Sequence, residues 1–293
     1  MSQTPEKDEI ETTGHSWDGL DEYNNPLPRW WLWTFYATLL WGLLYTIAYP
    51  AWPLVNGATE GFLGFSTRQN VADDIAAVEA QNAGNMEALA SVELASLSDN
   101  TELQGFAVNA GRAIFVANCS QCHGTGGAGV QASGYPNLLD DSWLWGGSID
   151  AIAFTVTHGI RNEQSDEARW SEMSAYAEIF SEEEIAQAVA YVQSISGQDN
   201  DAGLAAAGAV LFEENCSSCH GEDGKGDREQ GAPNLTDAIW LYGGSEETLT
   251  ETLVNGRFGV MPAWSEDYRI GSGLSQAEIN AVAAYVHQLG GGE

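Results

Sequence analysis

All four cysteines of the chain lie in two copies of one short motif. The stretches NCSQCHG (118–124) and NCSSCHG (215–221) share the pattern Cys-x-x-Cys-His-Gly. This pattern is the attachment signature of c-type haem, in which two thioether bonds hold the cofactor and the adjacent histidine binds its iron. A zinc site would need two more ligands for each pair, and a thioredoxin-like redox pair would need a βαβ context. We therefore expect two covalently bound haems c, attached at Cys119, Cys122, Cys216 and Cys219.

His123 and His220 are the expected proximal iron ligands, and two methionines are the expected sixth ligands. The chain has four methionines, and Met173 and Met261 each lie in a loop between one haem motif and the helical stretch that follows it. A thioether is a soft ligand that suits haem iron, and two filled axial positions favour electron transfer over chemistry with O2 or peroxide. His158 is an alternative to Met173 and would give bis-histidine ligation.

The two motifs belong to a longer internal repeat. The matching stretches are GRAIFVANCSQCHG (111–124) with GAVLFEENCSSCHG (208–221), YPNLLDDSWLWGGS (135–148) with APNLTDAIWLYGGS (232–245), and SEEEIAQAVAYVQSI (181–195) with SQAEINAVAAYVHQL (275–289). The last pair opens with Ser-x-x-Glu, a helix-capping box, and continues with a helical spacing of apolar residues. The repeat predicts two helical modules, residues 105–197 and 203–290.

One stretch is apolar enough to cross a bilayer. Residues 30–59 carry no charge, and Trp30 to Tyr49 as a helix would span about 30 Å, one hydrocarbon thickness. Aromatic side chains crowd both ends, as they do at membrane interfaces. A cleaved signal peptide fits poorly, because the preceding residues are acidic and no small-residue cleavage site follows. The expected order is an acidic tail (1–29), a transmembrane helix (30–50) and a connecting region (51–104) with a helix in 71–97.

The chain is strongly acidic, with 42 Asp and Glu against 10 Lys and Arg and a formal net charge of −32. Such a chain repels nucleic acid phosphates, which argues against DNA or RNA as a partner. Two explanations of the acidity remain open: a solvated surface suited to high salt or high pH, and steering of a basic protein partner.

Each module resembles a class I cytochrome c, with a helix leading into the haem motif, a Pro-Asn-Leu, a methionine loop and a closing helix. The resemblance implies a mainly α fold, and hydrogen bonds from the proximal histidine rings to the carbonyl groups of Pro136 and Pro233. It also implies that the first and last helices cross within each module. The implied helix pairs are 105–118 with 181–195 and 203–215 with 275–289. Arg161 and Arg257, beside paired glycines of the repeat, are candidates for neutralising haem propionates.

The order of the parts resembles the dihaem subunit of cbb3-type cytochrome c oxidases, the CcoP or FixP type. The resemblance covers most of the chain from Asp18 onward. It rests on DGLDEYNNPLPRWWLW (18–33), the single span, GFLGFSTRQ (61–69), THGIRNE (157–163) and RWSEMSAYAEIFSEEEI (169–185).

This resemblance implies an electron-entry subunit of a proton-pumping oxidase, anchored in the lipid bilayer of a bacterial inner membrane. The implied partners are a donor cytochrome c, a monohaem cytochrome c subunit and a haem–copper subunit, the last of which would carry out the O2 chemistry. Because haem c is attached outside the cytoplasmic membrane, the tail would be cytoplasmic and both modules periplasmic. The alternatives are a free-standing membrane-anchored dihaem electron shuttle, and a dihaem peroxidase, which would need an open iron position.

Overall fold

The computed structural model describes residues 11–291, and most of its regular elements are helices. The prediction of a mainly α fold is confirmed. The chain divides into two compact units, residues 1–81 and 82–293. The elements in chain order are β1 (Thr12–Trp17), β2 (Leu20–Tyr23), α1 (Arg29–Ala48), β3 (Pro53–Leu54), β4 (Gly57–Ala58), α2 (Thr67–Ser91), a 3₁₀ helix (Leu94–Asp99), α3 (Thr101–Asn118), α4 (Ser120–His123), a 3₁₀ turn (Gln131–Ser133), α5 (Ile149–His158), α6 (Glu182–Ile195), α7 (Ala202–Asn215), α8 (Ser217–His220), α9 (Glu246–Asn255) and α10 (Gln276–His287).

In the first unit, α1 is the apolar helix that the sequence predicts as a membrane span. None of its side chains is buried. Among residues 11–291 it is the one helix long and apolar enough to cross a membrane. The helix ends at Ala48 because Pro50 disfavours a helical conformation at the residue before it, and Tyr49 is extended. The Tyr45 and Tyr49 rings stack with their centroids 4.6 Å apart, which places an aromatic pair at this end of the span.

The first unit also contains two short β hairpins that the sequence analysis missed. Strands β1 and β2 pair antiparallel, and Asp18 and Gly19 form the turn between them with φ angles of 49° and 84°. Asp-Gly is a favoured pair for such a two-residue turn. Strands β3 and β4 form the second hairpin. Residues 1–10 of the predicted tail lie outside the described residues.

Two hydrophobic cores organise the second unit. The first core is built from α3, α5 and α10, and includes the buried side chains of Phe115, Ile152, Val156, Ile279 and Val282. The second core is built from α6 and α9 with a partly buried residue of α7, and includes the buried side chains of Phe180, Ile185, Val189, Leu249 and Leu253. In sequence, the second core lies wholly between the two stretches that form the first.

The terminal helices do not pair as the sequence analysis expects. Helix α3 packs against α10, and α6 packs against α7. The expected crossing of helices within each module is therefore wrong. A short connection favours antiparallel neighbours, and only residues 196–201 join α6 to α7. Each closing helix consequently packs on the first helix of the other repeat.

A glycine lies at each of the two helix crossings. Gly111 of α3 faces the backbone carbonyl of Ala281 in α10, and Gly208 of α7 faces that of Gln187 in α6. A Cβ atom at either glycine would collide with the facing carbonyl oxygen. Because the obstacle is backbone rather than a mobile side chain, the helices can approach this closely only when the position is glycine.

Replacing Gly111 should separate α3 from α10. We expect Gly111→Ala to lower the free energy of unfolding by about 1–3 kcal/mol, as overpacking of a core does. Gly105 lies in the same helix with nothing within 4 Å of a Cβ atom, so Gly105→Ala should raise it by about 0.5–1 kcal/mol through helix propensity. Chemical denaturation followed by far-UV circular dichroism measures both variants. Equal effects of the two substitutions would contradict this close contact.

Candidate haem sites

Each haem motif is presented by the end of a long helix and one further helical turn. Helix α3 ends at Asn118, and α4 then carries Cys122 and His123. The backbone N–H of His123 donates to the carbonyl of Cys119 at 3.0 Å. In the second motif His220 makes the same bond to Cys216, also at 3.0 Å. The turn therefore places both cysteines and the histidine of each motif close together.

The two histidine rings are oriented by proline carbonyl groups. The Nδ1 atom of His123 lies 3.3 Å from the carbonyl oxygen of Pro136, and that of His220 lies 3.1 Å from the carbonyl oxygen of Pro233. A carbonyl oxygen can only accept, so Nδ1 carries the proton and Nε2 keeps its lone pair. The bonds are those that the resemblance to class I cytochromes c implies at both prolines.

Burial keeps these histidines in the neutral form that can bind a metal. It lowers the pKa of His123 and of His220 below the ordinary value, and the hydrogen bonds to Pro136 and Pro233 offset part of that shift. A neutral ring with its proton on Nδ1 is the tautomer that coordinates iron through Nε2.

The thiols of Cys119 and Cys216 are protonated at neutral pH. Burial and the neighbouring cysteine raise the pKa of Cys119 to about 11 and that of Cys216 to about 11. A structural zinc site needs four ligands, and each motif offers two cysteines and one histidine. Within residues 11–291, no group of three or more His, Cys, Asp or Glu side chains is arranged to hold a metal ion. The donor set therefore does not fit a zinc site.

A cavity of about 240 Å³ adjoins the second motif. Cys216, Cys219 and His220 contribute to its wall, and Met173 also lines it. Much of the remaining lining is aliphatic or aromatic. Those residues include Val189, Leu235, Leu249, Leu253 and Trp240. An apolar cleft with a neutral imidazole, two thiols and a thioether fits a haem c attached at this motif.

The methionines are exchanged between the repeats. Met173, expected opposite His123, instead lines the cavity of His220. Met261 packs against the first core, which contains Phe115, and the Phe115 ring centroid lies 6.5 Å from that of His123. Met173 therefore does not lie at the motif that precedes it, where the sequence analysis expects it. The second site combines the cysteines and histidine of one repeat with the methionine of the other, and the packing of Met261 on the first core agrees with the converse arrangement at the first motif.

Comparison with known proteins identifies the family of the chain. The cytochrome c family matches residues 108–196 and 205–290, and the N-terminal domain of cytochrome oxidase-cbb3, FixP, matches residues 9–56. The cbb3-type cytochrome c oxidase subunit CcoP of Cereibacter sphaeroides is 55% identical over 100% of both chains. The chain belongs to the CcoP/FixP family of cbb3-type cytochrome c oxidase subunits.

Other members of the CcoP/FixP family are similar over nearly their whole length. The FixP subunit of Sinorhizobium medicae is 47% identical over 97% of this chain and 96% of its own. The CcoP subunit of Rhodobacter capsulatus is 50% identical over 100% of both chains. The predicted family, its haem-binding cytochrome c domains and its role in electron transport are confirmed by these relationships.

Backbone pairing holds each methionine of this CcoP/FixP-type chain in place. Met261 and Ile160 exchange N–H···O bonds of 2.9 and 3.0 Å, and Met173 and Arg257 exchange bonds of 2.9 and 3.2 Å. Ile160 and Arg257 follow the ends of α5 and α9, the matching helices of the two repeats. Each methionine is thus held in place by the backbone of the other repeat.

The sequence analysis missed the role of two glycines in this exchange. Gly159 and Gly256 have φ angles of 76° and 69°. A Cβ atom at Gly159 would collide with the carbonyl of Met261, and one at Gly256 with the carbonyl of Met173. The sequence shows that the two glycines match in the repeat, but it does not show which backbone segments they contact.

His158, the alternative ligand to Met173, has both ring nitrogens engaged elsewhere. Its Nδ1 lies 2.9 Å from the hydroxyl of Ser165 and 3.1 Å from that of Tyr268, and its Nε2 lies 3.2 Å from a carboxylate oxygen of Glu167. With these partners the ring is not available to iron. The geometry therefore favours methionine over His158 as the sixth ligand.

Both candidate propionate partners, Arg161 and Arg257, line the same cavity. The Arg161 guanidinium donates to the carbonyl oxygen of Ser171 at 2.6 Å and to that of Gly259. The Arg257 guanidinium donates to Thr252 and Glu251. Both candidate arginines therefore lie at the second site.

We expect Gly256→Ala to lower the free energy of unfolding more than the same substitution at a glycine with no neighbouring atoms. Gly197 has a φ angle of 73° and nothing within 4 Å of a Cβ atom, so Gly197→Ala reports only the backbone penalty of about 1–2 kcal/mol. Gly256→Ala adds a collision with Met173 and should lower the free energy of unfolding by about 1–3 kcal/mol more. Denaturant unfolding of the full chain compares the two. A smaller effect at Gly256 than at Gly197 would rule out the tight backbone contact.

Proposed function

We propose that this chain is the dihaem electron-transfer subunit of a cbb3-type oxidase, with one haem c attached at Cys119 and Cys122 and another at Cys216 and Cys219. The observation that carries the proposal is a proximal histidine whose Nδ1 is bound by a proline carbonyl in each repeat. In the second site that histidine shares an apolar cavity with a methionine. Haem c supplies reversible one-electron chemistry when it is bound there.

In the proposed sites, His123 and Met261 would hold the iron of one haem, and His220 and Met173 that of the other. The bonds to Pro136 and Pro233 hold each imidazole in one tautomer and orientation. Methionine opposite histidine raises the reduction potential and leaves no open position on the iron. Apolar lining keeps water out of the cavity and favours the less charged state of the site. These features favour electron transfer and argue against the peroxidase alternative.

In the proposed role, the chain accepts electrons from a donor cytochrome c. It passes them to a monohaem cytochrome c subunit and then to a haem–copper subunit, where O2 is reduced and protons are pumped. The support is the family of the chain, whose similar members are subunits of cbb3-type cytochrome c oxidases. In this proposal the chain itself does not react with O2.

The proposed location is the bacterial inner membrane, with α1 as the single span, the N-terminal tail in the cytoplasm and both haem modules in the periplasm. Helix α1 has the length and apolar surface for this. Haem c is attached outside the cytoplasmic membrane, which places the four cysteines there. Thioether bonds would also remove these cysteines from disulfide chemistry in that oxidising compartment.

Purification of the tagged chain from its native membranes in mild detergent tests the assignment. We expect it to co-purify with b-type haem, copper and cytochrome c oxidase activity. Isolation of the chain with haem c alone, under conditions that keep a known oxidase intact, would instead support the free-standing shuttle.

Loss of one haem allows the methionine assignment to be tested separately. In a chain with Cys119→Ala and Cys122→Ala, only the second haem remains. There we expect Met173→His to lower its reduction potential, because bis-histidine ligation replaces His/Met ligation, and Met261→His to leave it unchanged. Redox titration followed by visible absorbance measures both. The reverse pattern would show that each methionine serves the motif preceding it.

A further inference from the structure

The segment that carries Met261 runs along the end of α5. Beyond the pairing of Met261 with Ile160, the N–H of Trp264 donates to the carbonyl of Val156 at 3.0 Å, and the N–H of Ser265 donates to that of Thr157 at 3.5 Å. Ser265 is buried. The segment then turns, with the N–H of Tyr268 donating to the carbonyl of Ser265 at 3.0 Å.

One side-chain bond closes this segment onto α5. The Tyr268 hydroxyl lies 3.1 Å from Nδ1 of His158, the last residue of α5, and the two ring centroids are 5.7 Å apart. Nε2 of His158 lies 3.2 Å from Glu167. With the Nε2 proton directed to this carboxylate, the lone pair of Nδ1 is shared by the hydroxyl groups of Tyr268 and Ser165, the latter at 2.9 Å.

The rest of the environment holds the His158 ring in one position. The Phe154 ring lies one helical turn earlier, with its centroid 4.5 Å from that of His158. The Ser165 hydroxyl lies 2.9 Å from Nδ1 and accepts the N–H of Glu167 at 3.3 Å. Ser165 is 4% exposed and the His158 side chain 13%, so bulk water competes weakly for these bonds.

The second repeat lacks this arrangement. Asn255 occupies the position that matches His158, and it is exposed. The segment of Met173 is instead tied down by Tyr176, whose hydroxyl donates to the carbonyl of Asn215 at 3.2 Å. The contact between Tyr268 and His158 is therefore a property of the first haem site, and not a general consequence of the repeat.

We propose that Tyr268 and His158 are positioning residues that hold Met261 in the first haem site. The inference rests on the proposed function, since it concerns the ligand of a haem bound at His123. Neither residue binds the iron. The bond between them restrains the segment of Met261 at a point beyond its backbone pairing with Ile160. Loss of the bond makes Met261 easier to displace and leaves Met173 unaffected.

Competition with imidazole measures how firmly Met261 is held. In a Met173→His background the far-red methionine–iron absorption band of the oxidised protein reports the first haem alone. We expect Tyr268→Phe to strengthen the apparent binding of imidazole at that haem about fivefold, the effect of one lost hydrogen bond. His158→Asn, which introduces the residue of the second repeat, should have a similar effect. Hydrogen exchange at the Met261 and Ile160 amides should become faster in both variants.

Two comparisons separate this role from a general loss of stability. Asn255→Ala, at the matching exposed position, should leave imidazole binding unchanged. Because Tyr268 and His158 act through one bond, the double variant should be no more sensitive to imidazole than the single variants. Additive effects, or a Tyr268→Phe variant that behaves as the parent, would overturn the proposal. A parent without a methionine–iron band would instead show that Met261 is not a ligand, and would overturn the ligand assignment together with this inference.

Discussion

Both haem sites depend on two backbone ladders that join the repeats. In each ladder a methionine exchanges a pair of hydrogen bonds with the residue just beyond a helix of the other repeat, Met261 with Ile160 and Met173 with Arg257. Neither ladder is local in sequence, and the second cavity is not complete within one repeat. Because side chains of both repeats line the second cavity, a displacement of one repeat relative to the other would change the site itself.

The helices, like the methionines, pack against the other repeat, and the connections between them explain why. Helix α6 is tied to α7 by a short connection, so the closing helix of the first repeat must lie against the opening helix of the second. Helices α3 and α10 are then left to pair with each other. Gly111 and Gly208, equivalent in the repeat, allow both crossings to be tight. The same glycine position of the repeat therefore lies at both helix crossings, although each crossing joins helices of different repeats.

The chemistry of the sites could be predicted because it is encoded locally. Attachment cysteines and proximal histidines occupy one helical turn, and Pro136 and Pro233 lie 13 residues after the histidines they orient. The pairing of methionines with histidines could not be predicted in this way. With two similar repeats, each methionine could serve the histidine of its own repeat or that of the other. The choice depends on the length of the connection between the repeats and on contacts between distant segments.

Other features were hidden for related reasons. The partners of His158 include Tyr268, 110 residues away, so no local pattern connects them. The β1–β2 hairpin lacks a clear alternation of apolar and polar residues, and only its Asp18-Gly19 turn indicated a hairpin. In contrast, α1 could be predicted from its twenty consecutive, mostly apolar residues alone, because no contact with another segment is needed to define it.

In sequence, the second core lies between the two stretches that form the first core. The parts of the two haem sites are therefore synthesised in an interleaved order. Ribosomes produce the chain from its N-terminus, so Met173 exists before the cysteines of the site that it completes. Apart from Leu144 and Arg161, the residues that line the second cavity lie in one continuous stretch from Ser171 to Gly259. The His123 site, although its cysteines come first, waits for Met261 and then for α10, which supplies part of its core. The haem motif that is translated first therefore belongs to the site that is finished last.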